Sequence, residues 1–151
     1  MIGLLFRVLF AILLVASFSD AADKAEIIAK DGQYVSYKNG IVYDEKTNLE
    51  WIAGPDKDMT WDQAKAWVES LSVDGGGWRM PTIAELKGLY KKGAGSNNMT
   101  PLLKITGGSV WSGEIQSSSS AWRLSFTTGH EEYVDQDHYF YDRGFAVRSQ
   151  K

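Results

Sequence analysis

Residues 77–86, with the sequence GWRMPTIAEL, decide how the middle of this chain folds. Thr82 is followed three residues later by Glu85, which is the capping-box pattern that satisfies two free amides at the start of a helix. Pro81 lies just before the box and suits a non-helical approach to it. The apolar positions that follow at helical spacing are Ile83, Leu86 and Tyr90. The stretch therefore predicts a helix that begins after Thr82 and closes at residues 91–93, where two lysines and a glycine suit the last turn.

A second capping box, formed by Thr60 and Gln63, predicts another helix upstream. The apolar face of that helix contains Trp61, Ala64, Val68 and Leu71. Short β-prone runs lie on both sides of the two helices, at residues 34–37, 41–43, 49–53, 109–112, 121–126, around 133 and 145–148. Asn39-Gly40 predicts a type I′ hairpin, because both residues tolerate positive φ. Residues 93–108 predict a long loop of a kind that is often functional. Strands, then two helices, then further strands indicate an α+β fold.

Composition limits the classes of protein to consider. The chain has 151 residues, of which 44% are hydrophobic and 23% charged, so it is typical of one globular domain. It contains no cysteine, which excludes disulfides, thiolate metal sites and cysteine nucleophiles. The net charge of -3 provides no basic surface for nucleic acid, so no nucleic-acid partner is expected.

Residues 1–21 are predicted to be a signal peptide. Arg7 precedes the apolar run 8–16, and Ser19 and Ala21 are the small residues that signal peptidase accepts. A spanning helix needs about 20 apolar residues, so an uncleaved membrane anchor is the less favoured alternative. The rest of the chain is predicted to consist of a lead-in segment, 22–33, and a domain, 34–151. We therefore expect an exported protein, periplasmic or secreted, with no membrane attachment after cleavage.

Several motifs, in order, resemble one bacterial domain family. GIVYDEKTNLEW at residues 40–51 resembles the G-x-V-x-D…T-G-L-x-W opening of the family named after the C-terminal domain of the Legionella collagen-like adhesin. GWRMPTIAEL is similar to that family's W-R-L-P-T-x-x-E-L signature. VWS at 110–112, AWRLSF at 121–126 and AVR at 146–148 resemble its later strands. The resemblance extends over about residues 35–148.

This resemblance implies a C-type-lectin-like fold. In that fold two helices flank small antiparallel sheets, long loops present the binding surface, and the N- and C-terminal strands pair. Architectural roles are expected for the motif residues Trp51, Trp78, Arg79, Pro81, Thr82, Glu85 and Trp111. The best-known member trimerises and binds sulfated glycosaminoglycans. The acidic charge of this chain argues against a polyanionic ligand, whereas a homo-oligomer remains open.

Aromatic and polar residues of the later segments are the candidate binding residues. Trp and Tyr rings stack on the apolar faces of sugars while their polar tips form hydrogen bonds. Carboxylates and histidines are densest at residues 130–138. The candidates are Trp122, Arg123, Asn97, Asn98, His130, Glu131, Asp135, Asp137 and His138.

We predict neither a metal site nor another cofactor. Calcium is the alternative, because lectin-like domains often use it and acidic loops supply its oxygen ligands. However, the sequence lacks both the sugar-binding triplets of calcium-dependent lectins and an EF-hand loop. His130 and His138 have no third partner, which makes a weak zinc pattern.

The sequence also lacks a recognised catalytic motif. It has no G-x-S-x-G elbow, no H-E-x-x-H and no phosphate-binding glycine loop, and the related formylglycine-generating domains need cysteines. We therefore expect a non-catalytic binding module of the bacterial cell envelope, which recognises carbohydrate or another surface polymer through its long loops. The first alternative is a structural or assembly protein with a protein–protein interface. The second is a hydrolase that uses two of Glu131, Asp135 and Asp137.

Overall fold

The computed structural model describes residues 26–151, so the predicted signal peptide lies outside the described residues. Strands β1–β9, helices α1 and α2 and a short 3-10 turn at Val73–Gly75 make up the regular structure of this part of the chain. Their bounds are β1 Ile27–Asp31, β2 Tyr34–Tyr37, β3 Val42–Asp44, β4 Leu49–Ala53, α1 Trp61–Glu69, α2 Ile83–Leu89, β5 Ser109–Ile115, β6 Ser120–Ser125, β7 Glu131–Asp135, β8 Asp142–Arg143 and β9 Phe145–Ser149. The α+β class and the order of strands, two helices and further strands are confirmed.

Sheet A has the strand order β1-β2-β3-β4-β9. The predicted hairpin between β2 and β3 forms, but its loop is not type I′. Tyr37 N–H donates to the Ile41 carbonyl and brackets residues 38–40, of which only Gly40 has a positive φ, of 90°. A three-residue loop of this kind needs one left-handed residue at its end, which glycine supplies without strain. The segment expected as a lead-in, 22–33, contains β1, which pairs with β2.

The expected pairing of the N- and C-terminal strands is wrong for the described residues. Strand β9 pairs with β4, with Trp51 opposite Val147, while β1 lies at the other edge of sheet A. Burial explains the difference, because Phe145, Ala146 and Val147 of β9 are fully buried whereas Ile27 of β1 is exposed. On its outer side β9 is covered by the GWRMP stretch, since Arg79 and Val147 exchange backbone hydrogen bonds of 3.1 and 2.9 Å.

Sheet B has the strand order β7-β6-β5-β8. Strands β5, β6 and β7 are antiparallel, but β8 runs parallel to β5 through Ser109–Asp142 and Val110–Arg143. The expectation of purely antiparallel sheets is therefore wrong at this edge. Both residues of β8 form side-chain ion pairs, Asp142 with Arg123 and Arg143 with Asp56 and Asp58, and strand periodicity in the sequence does not reveal such pairs.

The two helices cover different clusters of the core. Helix α2 packs with Leu86 and Leu89 among residues of both sheets, including Trp51 and Val110. Helix α1 packs with Ala64 against Trp111 of β5. Neighbouring residues of β5 thus face opposite helices, as alternation along a strand requires.

The tryptophans of the motifs fill this core. The side chains of Trp51, Trp61, Trp78 and Trp111 are all buried. Trp61 Nε1 donates to the Ser112 carbonyl and Trp111 Nε1 to the Met59 carbonyl, both at 2.8 Å. The long loop of residues 93–108 also contributes to the core, through Met99, Leu103 and Ile105.

Both predicted capping boxes are present. The hydroxyls of Thr60 and Thr82 accept the backbone N–H of Gln63 and Glu85, whose side chains accept the cap N–H groups in return. The second helix is shorter than predicted, because Tyr90 is already extended and caps it. No helix in residues 26–151 combines the length and apolar character needed to cross a bilayer.

Candidate functional site

A buried carboxylate in β8 organises one end of sheet B. The Asp142 side chain is fully buried, and both of its oxygens accept hydrogen bonds from Arg123 Nη1, at 2.7 and 2.8 Å. Its Oδ2 also lies 2.7 Å from His138 Nδ1. Burial raises the pKa of Asp142, and the neighbouring His138 and Arg123 oppose that rise. Arg123 in turn reaches Glu132 through Nη2 at 3.0 Å.

The next residue, Arg143, anchors a different part of the chain. Its nearly buried guanidinium donates to Asp56 at 2.8 Å and to Asp58 at 2.7 Å. The backbone N–H of Thr106, 2.9 Å from Asp56 Oδ1, and the Arg143 guanidinium lower the pKa of Asp56. Asp58 also accepts the backbone N–H of Tyr141 at 3.2 Å. Arg143 therefore joins two loops that are distant from β8 in sequence, those of residues 56–58 and 106.

Residues 139–141, which we call the aromatic loop, protrude from this anchored base. Tyr139, Phe140 and Tyr141 are 46%, 59% and 68% exposed. The rings of Tyr139 and Phe140 stack with centroids 4.4 Å apart, and Phe140 meets His138 edge-on at 6.4 Å. Tyr141 has a φ of 60°, an unusual conformation for a bulky residue, which costs of order 1–3 kcal/mol and persists only where the surroundings fix it. His138 and Asp142 flank the loop and pair with each other.

A second aromatic group lies on the outer part of sheet B. Trp122 of β6 and Tyr133 of β7 are opposite each other, with ring centroids 5.1 Å apart and an edge-to-face angle of 75°. Trp122 lines a shallow cleft of about 460 Å³ together with Ile83, Glu114, Ile115 and Glu131. Glu131 pairs with Lys87 of α2.

The structure brings some of the predicted binding residues together and separates others. Arg123 and His138 converge on Asp142, and Trp122 and Glu131 share the cleft described above. The side-chain amides of Asn97 and Asn98 are already engaged, because that of Asn97 donates to the Ile105 carbonyl within the loop and that of Asn98 donates to the Phe126 carbonyl after β6.

The remaining predicted residues are exposed. His130 lies in the turn before β7 and is exposed at its side chain. Asp135 and Asp137 line an open depression of about 490 Å³ with Asp62. Among residues 26–151, no group of three or more histidine and carboxylate side chains is arranged to hold a metal ion.

Arg79 of the GWRMP stretch has partners within its own segment. Its guanidinium forms two hydrogen bonds with the Glu85 carboxylate, at 2.8 and 2.6 Å, and a longer one with the Met80 carbonyl. Burial alone would raise the pKa of Glu85, but Arg79 and the Thr82 N–H hold it below its ordinary value. The arginine thus stabilises the carboxylate that caps α2.

Sequence reasoning missed Asp142, Arg143 and the aromatic loop. The signal was the run YFYDR at residues 139–143, in which three aromatic residues follow one another without the alternation of a half-buried strand. Such a run in a polar segment predicts exposed rings, and the charged residues Asp142 and Arg143 that follow can hold the base of the loop through ion pairs.

These features define an α+β domain of two sheets and two helices that exposes an aromatic loop on a base of buried ion pairs. The sequence also defines its family. The profile of the Lcl C-terminal domain matches residues 40–147, and the chain belongs to that family. The family resemblance of the sequence motifs is thereby confirmed. Comparison with curated proteins gave no match.

Proposed function

We propose that this chain is a non-catalytic binding module, exported to the periplasm or the cell exterior, and that its aromatic loop recognises carbohydrate or another surface polymer. In this proposal the fold is C-type-lectin-like, with the binding surface on its loops. Membership of the Lcl C-terminal domain family supports an adhesin-like role. The signal-peptide pattern of residues 1–21 supports export.

The observation that carries the proposal is the combination of exposed rings and a rigid base. Tyr139, Phe140 and Tyr141 expose about half or more of their surface, while Asp142 directly after them is fully buried. Exposed aromatic rings lose little conformational entropy on binding when their backbone is already fixed, so more of the contact energy appears as affinity. Tyrosine suits a polyhydroxyl ligand, because the ring stacks and the hydroxyl forms hydrogen bonds.

A glycan array probed with the full chain and two variants tests this proposal. Tyr141→Ala should reduce binding by about three- to tenfold, which corresponds to the loss of one stacked ring. Ile28→Ala is the matched control, because Ile28 is 60% exposed but belongs to β1 at the far edge of sheet A. An array without signal, or equal loss for both variants, would contradict the proposal.

A specific feature favours assembly through a protein–protein interface as the second candidate. Phe140 is 59% exposed and has no polar tip to satisfy a sugar hydroxyl. Light scattering of the full chain distinguishes the two functions. A stable oligomer that Phe140→Ser dissociates, together with a blank array, would favour assembly.

A further inference from the structure

Strand β7 forms an edge of sheet B whose outer backbone groups are free to pair. A backbone hydrogen bond lies at each end of the paired region of β6 and β7. Ser125 N–H donates to the His130 carbonyl at one end, and Gln136 N–H donates to the Ser119 carbonyl at the other. Because hydrogen-bonded and non-bonded pairs alternate between antiparallel strands, Glu132 and Val134 bond to β6. The N–H and C=O groups of Glu131 and Tyr133 therefore point outward, and no other backbone group of residues 26–151 bonds to them.

The side chains of this edge are exposed and carry a defined pattern. Glu131, Tyr133 and Asp135 alternate along β7 and share one face of the sheet, because side chains repeat every second residue. All three are exposed, and the Tyr133 ring is held against Trp122. The edge thus presents an apolar centre between two carboxylates.

Pairing with a second copy of this chain is disfavoured by charge. An antiparallel copy centred on Tyr133 would place Glu131 opposite Asp135 at both ends of the ladder. A parallel copy in register would place each carboxylate opposite its own counterpart. Like charges directly opposite on neighbouring strands are destabilising, and charged edge residues commonly prevent such self-association. Lys87 offsets only part of the negative charge, because it pairs with Glu131 while Asp135 has no ion-pair partner among the described residues.

We propose that the β7 edge binds an extended, basic segment of a partner protein as an additional antiparallel strand. In the matching segment, lysine or arginine lies opposite Glu131 and Asp135, and an apolar residue lies opposite Tyr133. Backbone bonds to Glu131 and Tyr133 supply affinity, and the two opposite-charge pairs select the sequence. This surface is independent of the aromatic loop and of the function proposed for it.

Synthetic peptides test the backbone part of the proposal. The probe has lysine, threonine, valine, threonine and lysine at its centre, and fluorescence anisotropy with the full chain measures its binding. N-methylation of the valine blocks the N–H that faces Tyr133, whereas N-methylation of the next threonine blocks an N–H that faces solvent. We expect the first peptide to lose binding and the second to keep it. Equal behaviour of the two peptides would overturn strand addition.

Charge variants test the selectivity. Glu131→Gln with Asp135→Asn should weaken binding of the lysine peptide by about three- to tenfold, the loss expected for two solvent-exposed ion pairs. The matched control is Glu26→Gln with Glu45→Gln, which removes two exposed carboxylates of sheet A that pair with Lys38 and Lys30. A peptide with glutamate in place of lysine should not bind.

Three further outcomes would also refute the proposal. The first is the absence of saturable binding up to about 1 mM lysine peptide. The second is equal weakening by the two charge variants. The third is a homodimer in which amide exchange protects β7, because this would show that a second copy of the chain occupies the edge.

Discussion

Replacement of Asp142 by asparagine should unfold the base of the aromatic loop at a much lower denaturant concentration than in the native chain. Asparagine has almost the same shape, so the change creates no cavity. It removes the charge and replaces one acceptor oxygen of Asp142 with an NH2 donor. The Arg123 guanidinium, whose side chain is 14% exposed, would then lose its buried partner. Breaking a buried pair costs about 3–5 kcal/mol. Arg123 keeps Glu132, so we expect a loss of about 2–4 kcal/mol in the free energy of unfolding.

Urea denaturation followed by circular dichroism measures this loss, and a thermal scan should show a fall of about 8–15 °C in Tm. Glu45→Gln is the control, because it also breaks an ion pair with a similar substitution. The side chains of Lys30 and Glu45 are 56% and 46% exposed, so the expected cost is only about 0–1 kcal/mol. If Asp142→Asn costs no more than Glu45→Gln, the buried carboxylate does not hold β8 and the reasoning fails.

Three further predictions concern single residues. The pKa of Glu85 is lowered in the folded state, so the ionised carboxylate should stabilise the fold above pH 4.5, and this contribution should disappear as the pH falls through the folded pKa. In urea melts from pH 3 to 7, the free energies of unfolding of Glu85→Gln and of the native chain should therefore become equal at low pH. Burial, and secondarily nearby carboxylates, raise the pKa of Tyr34 to about 12, so stability should decline between pH 10 and 12, and less so in Tyr34→Phe. Gly107→Ala should lower the free energy of unfolding by about 1–3 kcal/mol in urea melts, because the added Cβ would lie 2.6 Å from the Tyr141 carbonyl oxygen. Gly88→Ala in α2 is the control: its Cβ would meet open space, and the substitution should raise the free energy of unfolding by about 0.5–1 kcal/mol.

The parts of the fold that depend on local chemistry could be predicted from the sequence. All hydrogen bonds of each capping box lie within four consecutive residues. Thr60 and Thr82 therefore mark the helix starts without reference to the rest of the chain. The β2–β3 hairpin was predicted for the same reason, although the preceding Asn39 kept a negative φ and the turn type differed.

The parts that depend on distant partners could not be predicted. Strand β8, which runs parallel to β5, carries Asp142 and Arg143, whose ion-pair partners lie 19 and 85–87 positions away. Sequence spacing carries no information about such pairs. The segment 130–138 was predicted as one ligand-binding group because its charges are close in sequence. Alternate side chains of β7 point to opposite faces, so Glu132 reaches Arg123 while Asp135 does not. His138 lies after the end of β7 and contacts the same arginine from the following turn.

The pairing of β4 with β9 has a consequence for how the protein folds. Arg148 and Glu50 form a buried ion pair at 2.6 Å although they lie 98 positions apart. At a synthesis rate of roughly 5–20 residues per second, β4 therefore waits about 5–20 s on the ribosome before its neighbour exists. Sheet A cannot be completed until β9 has been made, and a chain dominated by such distant pairings folds slowly. During that interval β4, which carries Trp51, can pair with β3 on one side only, so its other edge is open to a chaperone until β9 arrives.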